Sequence, residues 1–232
     1  MRFLVFDTET TGLPKSKTIH PDELQLWPYI VQFSYIIYDT HVNNIIKTVD
    51  KIIKIPENVE ISEVSSQIHG ITKTITNQKG VNIKTVLKEF FLDLITANID
   101  LLIGHNISFD INMIRVEMNR LFKNNTHTPR TVMIAKTELE YLNNYKKIYC
   151  TLQESIDLCN IKAIDKYGRE YVKFPKLSEL HEKLFKEKPQ LLHNSLNDIL
   201  ITLRCFIQLQ FNTDLVVLSP HFEKIIKEKR II

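Results

Sequence analysis

The sequence predicts an α/β fold built on a mixed five-stranded sheet, three antiparallel strands followed by two further strands, with helices on both faces. Two observations carry this expectation. Residues 2–55 hold three runs rich in β-branched and aromatic residues, while the remainder alternates long stretches of helical period with short buried runs. At 232 residues the chain is also long enough to bury one sizeable core.

RFLVFDTE (2–9) reads as the first strand, followed by a loop from Thr11 to Pro28 that carries Pro14 and Pro21. YIVQFSYIIYD (29–39) and NIIKTVDKIIKI (44–55) follow as strands, joined by a short polar turn from Thr40 to Asn43. The pattern then changes. ISEVSSQIHG (61–70) predicts a short helix ending at Gly70, and VNIKTVLKEFFLDLITAN (81–98) a longer one. LLIGHN (101–106) reads as a buried strand, and ISFDINMIRVEMNRLF (107–122) as a helix with Ile107, Ile111, Ile114, Met118 and Leu121 along one side. TVMIAKT (131–137) is expected to be the fifth strand, LQESIDLCN (152–160) a helix and IDKYGREYVKFPK (164–176) a charged loop. SELHEKLF (178–185) and SLNDILITLRCFIQLQF (195–211) close the domain as helices. Residues 1–212 are read as this domain, and 213–232, ending EKIIKEKRII, as a C-terminal extension that is helical or a basic tail.

With 44% apolar and 25% charged residues the composition is that of an ordinary globule. No apolar run reaches the roughly 18 residues of a membrane helix, and the N-terminal apolar stretch stops at Asp7, too short for a secretory signal. An intracellular setting, cytoplasm or nucleus, is therefore expected, with no membrane partner. Cys150, Cys159 and Cys205 form no C-x-x-C pair and read as reduced packing residues. The net charge is +3; neutralising four carboxylates leaves 23 acids against 30 bases, +7, a balance suited to a polyanion.

FDTETTG (6–12) sets Asp7 and Glu9 on one side of a strand end with no basic residue between them. Such crowding raises a pKa or costs stability unless something positive sits in front. A lone D-x-E is usually a solvated strand end, so other charges must decide. In GHNISFD (104–110), Asp110 falls in the first turn of a helix directly behind a buried strand, where a carboxylate also complements the helix dipole. In HNSLND (193–198), His193 precedes an N-cap at Asn194 or Ser195, and Asp198 lies about one turn in, so that both can reach one point. Four acids and a histidine at strand ends and helix starts, with oxygen ligands, favour Mg²⁺ or Mn²⁺ over zinc. No H-E-x-x-H, EF-hand loop, G-x-S-x-G elbow or G-x-x-x-x-G-K loop competes.

FDTETTG, GHNISFD and HNSLND, in this order, resemble the three motifs of the DnaQ-like, or DEDDh, 3′-to-5′ exonucleases, and SSQIHGIT resembles the segment between the first two. The likeness covers roughly residues 2–211; Ser195 stands where alanine is frequent. It implies an RNase H-like fold and removal of 5′-mononucleotides from single-stranded 3′ ends, DNA favoured. An RNA-trimming or oligoribonucleotide enzyme and a non-catalytic nucleic-acid-binding module are the alternatives. Carried over by position, the resemblance makes Asp7, Glu9, Asp110 and Asp198 ligands of two Mg²⁺ ions, with Mn²⁺ able to substitute, and His193 the general base. It further implies nucleotide contacts at Thr8 and Thr10, a wedge of Leu13 and Phe109 against the terminal base, and hydrogen bonds from His69 or Asn106. A polymerase or repair partner would act in trans.

Overall fold

The structure, a computed structural model, describes residues 1–16, 18–123, 129–145 and 147–232. In chain order its elements are β1 (Arg2–Thr10), β2 (Ile30–Asp39), β3 (Asn44–Ile52), α1 (Glu63–His69), α2 (Lys73–Lys79), α3 (Ile83–Thr96), β4 (Leu101–Gly104) and α4 (Ile107–Lys123). Then follow α5 (Pro129–Asn144), β5 (Ile148–Cys150), α6 (Thr151–Glu154), α7 (Ile156–Cys159), the small strands β6 (Lys162–Ile164) and β7 (Glu170–Val172), α8 (Leu177–Phe185), α9 (Ser195–Phe211), α10 (Leu215–Leu218) and α11 (Pro220–Glu228).

The main sheet has the order β3-β2-β1-β4-β5. β1, β2 and β3 form the antiparallel meander, while β4 joins β1 in parallel and β5 joins β4 in parallel. Parallel pairing requires a crossover, and α1 to α3 provide the one from β3 to β4. β1 therefore sits at the centre, and Phe3, Leu4, Val5 and Phe6 are all fully buried. A strand covered on both faces reads as a continuous apolar run rather than an alternating one.

Period two divides that run between two cores. Leu4 and Phe6 point into a cluster with Phe90, Ile111 and Ile114 of α3 and α4. Phe3 and Val5 point the other way, into a cluster with Leu180 of α8 and Ile199, Leu203 and Phe206 of α9. The C-terminal extension contributes to this second core through Leu215, Phe222, Ile226 and Ile231. Asn212 in the left-handed region ends α9, and Ser219 caps α11 by accepting from Phe222 N.

Three segments depart from expectation. TVMIAKT (131–137) belongs to α5 instead of forming the fifth strand, which falls at Ile148–Cys150. Its apolar run, Val132–Ala135, is too short to show a period of its own, and the helix-forming residues Glu138, Leu139, Glu140 and Leu142 continue it as a helix. The charged loop at 164–176 contains half of a hairpin, since β7 pairs with β6 around the turn at Asp165–Arg169. LQESIDLCN is divided into two single turns, α6 and α7, by Ser155, whose hydroxyl donates back to Thr151 O at 2.6 Å.

Phe206 joins α9 to the sheet, its ring edge-on to Phe3 at 5.0 Å and to Tyr149 at 4.9 Å between centroids. Phe206→Ala should destabilise the protein by about 3–5 kcal/mol, read as a lower urea midpoint at unchanged m-value.

Candidate active site

The division of β1 between two faces continues past its apolar run and builds the site. Asp7 and Glu9 fall on the Phe3–Val5 side, toward α9, while Thr8 falls on the Leu4–Phe6 side, toward α4. The register with β2 shifts between Glu9 and Thr10, an irregularity of the kind that re-aims side chains at strand ends. α9 delivers Asp198 one turn in, as its fourth residue, with the Asn194 side chain capping Asn197 N. Carboxylate oxygens of Asp7, Glu9 and Asp198 lie within 4.8 Å of one another.

Asp110 arrives from the other face. β4 runs straight into α4 through His105 and Asn106, and this turn is tight: a Cβ on Gly104 would lie 2.9 Å from that of Ile107. Asn106 takes φ +67°, a conformation that asparagine tolerates better than most residues. Asp110 is buried, and its Oδ1 accepts from Thr8 N at 3.0 Å and from Thr8 Oγ1 at 2.7 Å. The four carboxylates thus straddle one strand end.

Electrostatics report the crowding. Burial lifts the Asp7 carboxyl to about 7. Burial, reinforced by the charge of Asp7, lifts Glu9 to about 8. Burial first and Asp7 second push Asp110 well above the usual carboxylate range, and burial with the charges of Asp7 and Glu9 does the same to Asp198. Four such groups cannot all be ionised together without a cation among them. An all-carboxylate donor set at this spacing fits a hard divalent ion, and Asp7, Glu9 and Asp198 are the residues that would hold it.

His193 occupies the loop before α9 at φ +67°, and its own N–H donates to Asp198 Oδ1 at 3.1 Å. It is exposed and lines a second cavity beside the acids, together with His69, Asn197 and Lys229. The acidic cavity itself holds about 270 Å³ and is lined by Asp7, Glu9, Asp110 and Asp198 with Leu13, Asn106 and Phe109. Leu13 is 84% exposed at its rim, and Phe109 packs beside Trp27.

The remaining sequence-predicted contacts are engaged within the protein. Besides holding Asp110, the threonines brace the loop, as Thr10 Oγ1 donates to Gly12 O at 2.6 Å. His69 Nδ1 accepts from Ile71 N at 3.0 Å, which leaves Nε2 as the donor to Thr10 O at 3.1 Å. Gly70, at φ +73°, ends α1 and permits this latch.

Two polar residues complete the site, Gln32 outside the motifs and Ser195 within HNSLND. Gln32, opposite Glu9 in the sheet, is buried; its Oε1 accepts from Ser195 N at 3.3 Å and its Nε2 donates to Asp50 Oδ1 at 2.7 Å. Ser195 Oγ donates to Asp7 O at 2.7 Å. These bonds tie the start of α9 to β1 and β2. A glutamine in the interior of a fully buried strand is the sequence signal that marks it.

The raised carboxyls define a pH dependence. Folded values near 7 and 8 stand above the ordinary 3.8 and 4.5 of Asp7 and Glu9, so the unfolded chain releases these protons first. Their stabilising contribution is complete below about pH 4 and is lost as pH rises through about 8. In EDTA, Asp7→Asn should melt higher than the parent at about pH 8, with the gap closing toward about pH 4. Added Mg²⁺ should raise the parent's Tm more at the alkaline end.

A family profile described as Exonuclease (RNase_T) matches residues 4–206. The fold is similar to that of E. coli Exonuclease I in complex with a dT13 oligonucleotide, with TM-score 0.60 and 18% identity over 95% of this chain and 43% of that one. It also resembles Exonuclease I from Methylocaldum szegediense (0.59, 16%, 94% and 42%) and Exonuclease X in complex with 5′ overhanging duplex DNA (0.53, 18%, 91% and 92%). The chain spans less than half the length of the Exonuclease I chains. No curated protein matches it in sequence. Among the described residues, no helix is long and apolar enough to cross a membrane. The profile match runs from β1 through most of α9 and takes in all three carboxylate-bearing segments: the chain belongs to the DnaQ-like, DEDDh exonucleases, nucleases of RNase H-like fold that depend on divalent metal.

Proposed function

We propose that this protein removes 5′-mononucleotides from the 3′ ends of single-stranded nucleic acid, DNA favoured, using two divalent ions and His193 as general base. The observation that carries this reading is the meeting of Asp7, Glu9 and Asp198 within 4.8 Å at the end of one strand, with Asp110 buried against Thr8 beside them. When bound, the ions supply charge neutralisation for the phosphodiester, activation of the attacking water and stabilisation of the departing 3′-oxygen. Asp7, Glu9 and Asp198 would hold one ion, and Asp7 with Asp110 the other. Mg²⁺ is the expected ion, with Mn²⁺ able to replace it.

The chain's own residues do the positioning. Leu13 and Phe109, which both line the acidic cavity, support a wedge against the terminal base, and exposed Asn106 offers a hydrogen bond beside it. His193 takes the water proton from a loop whose backbone is held by Asp198. The DNA oligonucleotides bound by the structurally similar Exonuclease I and Exonuclease X support DNA as the substrate. Direction, strandedness and sugar are tested together by rates on single- and double-stranded DNA and RNA of one sequence, labelled at either end, with Mg²⁺. Fastest release from the 3′ end of single-stranded DNA is expected; release from the 5′ end or strict preference for RNA contradicts the reading.

Three substitutions sharpen it. Asp7→Ala should abolish nucleotide release, and His193→Ala should lower kcat by about 10²–10⁴-fold. Gln32→Leu, which frees the start of α9 from β2, should lower kcat by roughly tenfold with little change in KM, because it acts on the placement of Asp198 and His193 and not on substrate binding.

A further inference from the structure

The β6–β7 hairpin stands outside the cores of the fold. None of its residues from 162 to 172 joins any of the three hydrophobic clusters. An isolated two-stranded hairpin is at best marginally stable in water. This one is held by its turn: the Asp165 carboxylate accepts from Tyr167 N at 2.8 Å, Arg169 N at 3.0 Å and Arg169 Nε at 2.8 Å, while Gly168 supplies φ +80°. A prebuilt loop that contributes nothing to the core leaves its surface to be accounted for.

That surface is apolar and basic together. Ile164, Tyr167, Tyr171 and Phe174 are 73%, 69%, 49% and 60% exposed, a concentration of large apolar side chains that a solvated charged hairpin does not require. Residues 161–176 hold five basic side chains against two acidic ones, a local +3 equal to the net charge of the whole chain. Lys166 Nζ stands 4.9 Å and the Arg169 guanidinium 5.3 Å from the centre of the Tyr167 ring, so cations and an aromatic face are presented as one group.

The hairpin also stands beside the acids. Its outgoing strand leads through Phe174 to Pro175, whose carbonyl lies 3.2 Å from Nε2 of His105, a residue lining the acidic cavity. Thr151 Oγ1 sits 3.0 Å from the other ring nitrogen, and burial holds this histidine down near 4, which keeps it neutral at physiological pH. The base of the hairpin is thereby fixed to the turn that carries Asn106 and Asp110. At about 3.3 Å per residue the arm from Pro175 to Tyr167 extends roughly 25 Å from that point.

Resting on the exonuclease reading above, we infer that the 162–174 hairpin is an arm that holds the single strand upstream of the reacting 3′ end, stacking bases on Tyr167, Tyr171 and Phe174 and meeting phosphates with Lys166 and Arg169. Stacking on aromatic faces beside cations is indifferent to base identity, as a nuclease that must pass every sequence requires. The cationic surface complements the polyanion and opposes none of the four carboxylates, which lie inside the cavity.

The test is fluorescence anisotropy of a labelled dT oligomer of about 20 nucleotides in EDTA, where turnover is off. Tyr167→Ala/Tyr171→Ala/Phe174→Ala should weaken Kd at least about tenfold. Lys166→Ala, at an exposed side chain that makes none of the turn's hydrogen bonds, should reduce the slope of log K against log salt by about 0.7. Kd within twofold of the parent in both variants overturns the arm. Mg²⁺-dependent nucleotide release by the parent protein reports the exonuclease reading separately: release without any hairpin effect removes the arm alone, and a hairpin effect without release retains a strand-binding arm and removes the nuclease.

Discussion

Four carboxylates forced together at the end of a buried strand are the constraint on which the rest of this structure depends. Burial makes each harder to ionise, and at Glu9 the charge of Asp7 adds to it, so these two carboxyls are lifted to about 7 and 8. A stable fold would avoid such an arrangement without a cation to match it. The chain instead spends a central strand, two helix starts and several buried hydrogen bonds on maintaining it. Stability given up locally for a cation-binding geometry is the usual mark of a functional site.

Sheet geometry explains how the arrangement is achieved with so few residues. Because β1 is covered on both faces, its alternation sends Asp7 and Glu9 toward α9 and Thr8 toward α4, and each helix answers with one aspartate in its first turn. β4 lies parallel beside β1, which sets the start of α4 at the same end of the sheet as the carboxylates. The polar stripe then continues sideways: Ser34 pairs with Asp7 and Gln32 with Glu9 in the β1–β2 register, and both donate to Asp50 on β3. On the opposite face, Arg120 reaches the carbonyls of Leu24, Trp27 and Pro28 and shares Glu117 with Ile30 N, which fixes the loop between β1 and β2. The site is rigid because every strand and helix meeting there is also part of a core.

Much of this was legible in the sequence, for physical reasons that also mark the limits. The long elements were readable because period 3.6 and period 2 survive over many residues; the Ile107–Met118 face of α4 and the three-strand meander emerge as expected. Asp7, Glu9, Asp110 and Asp198 announced themselves by standing at element boundaries beside strongly apolar runs. Short elements carry too little pattern. β5 is three residues long, so the nearby and longer run TVMIAKT reads as the strand in its place, although helix-forming neighbours draw it into α5. β6 and β7, three residues each, are held by the Asp165 turn and not by alternation, and no periodicity exposes them. Ser195 meets Gln32 and Asp7 through hydrogen bonds between residues more than 160 positions apart, a relation that only the folded chain reveals.

The central claim is that the carboxylate cluster exists to hold divalent metal, and anomalous diffraction from crystals grown with Mn²⁺ tests it most directly. The account predicts an anomalous peak about 2.0–2.3 Å from oxygens of Asp7, Glu9 and Asp198, absent from Asp7→Ala crystals. Ordered carboxylates with no peak among them at saturating Mn²⁺, or peaks only elsewhere on the surface, would contradict it.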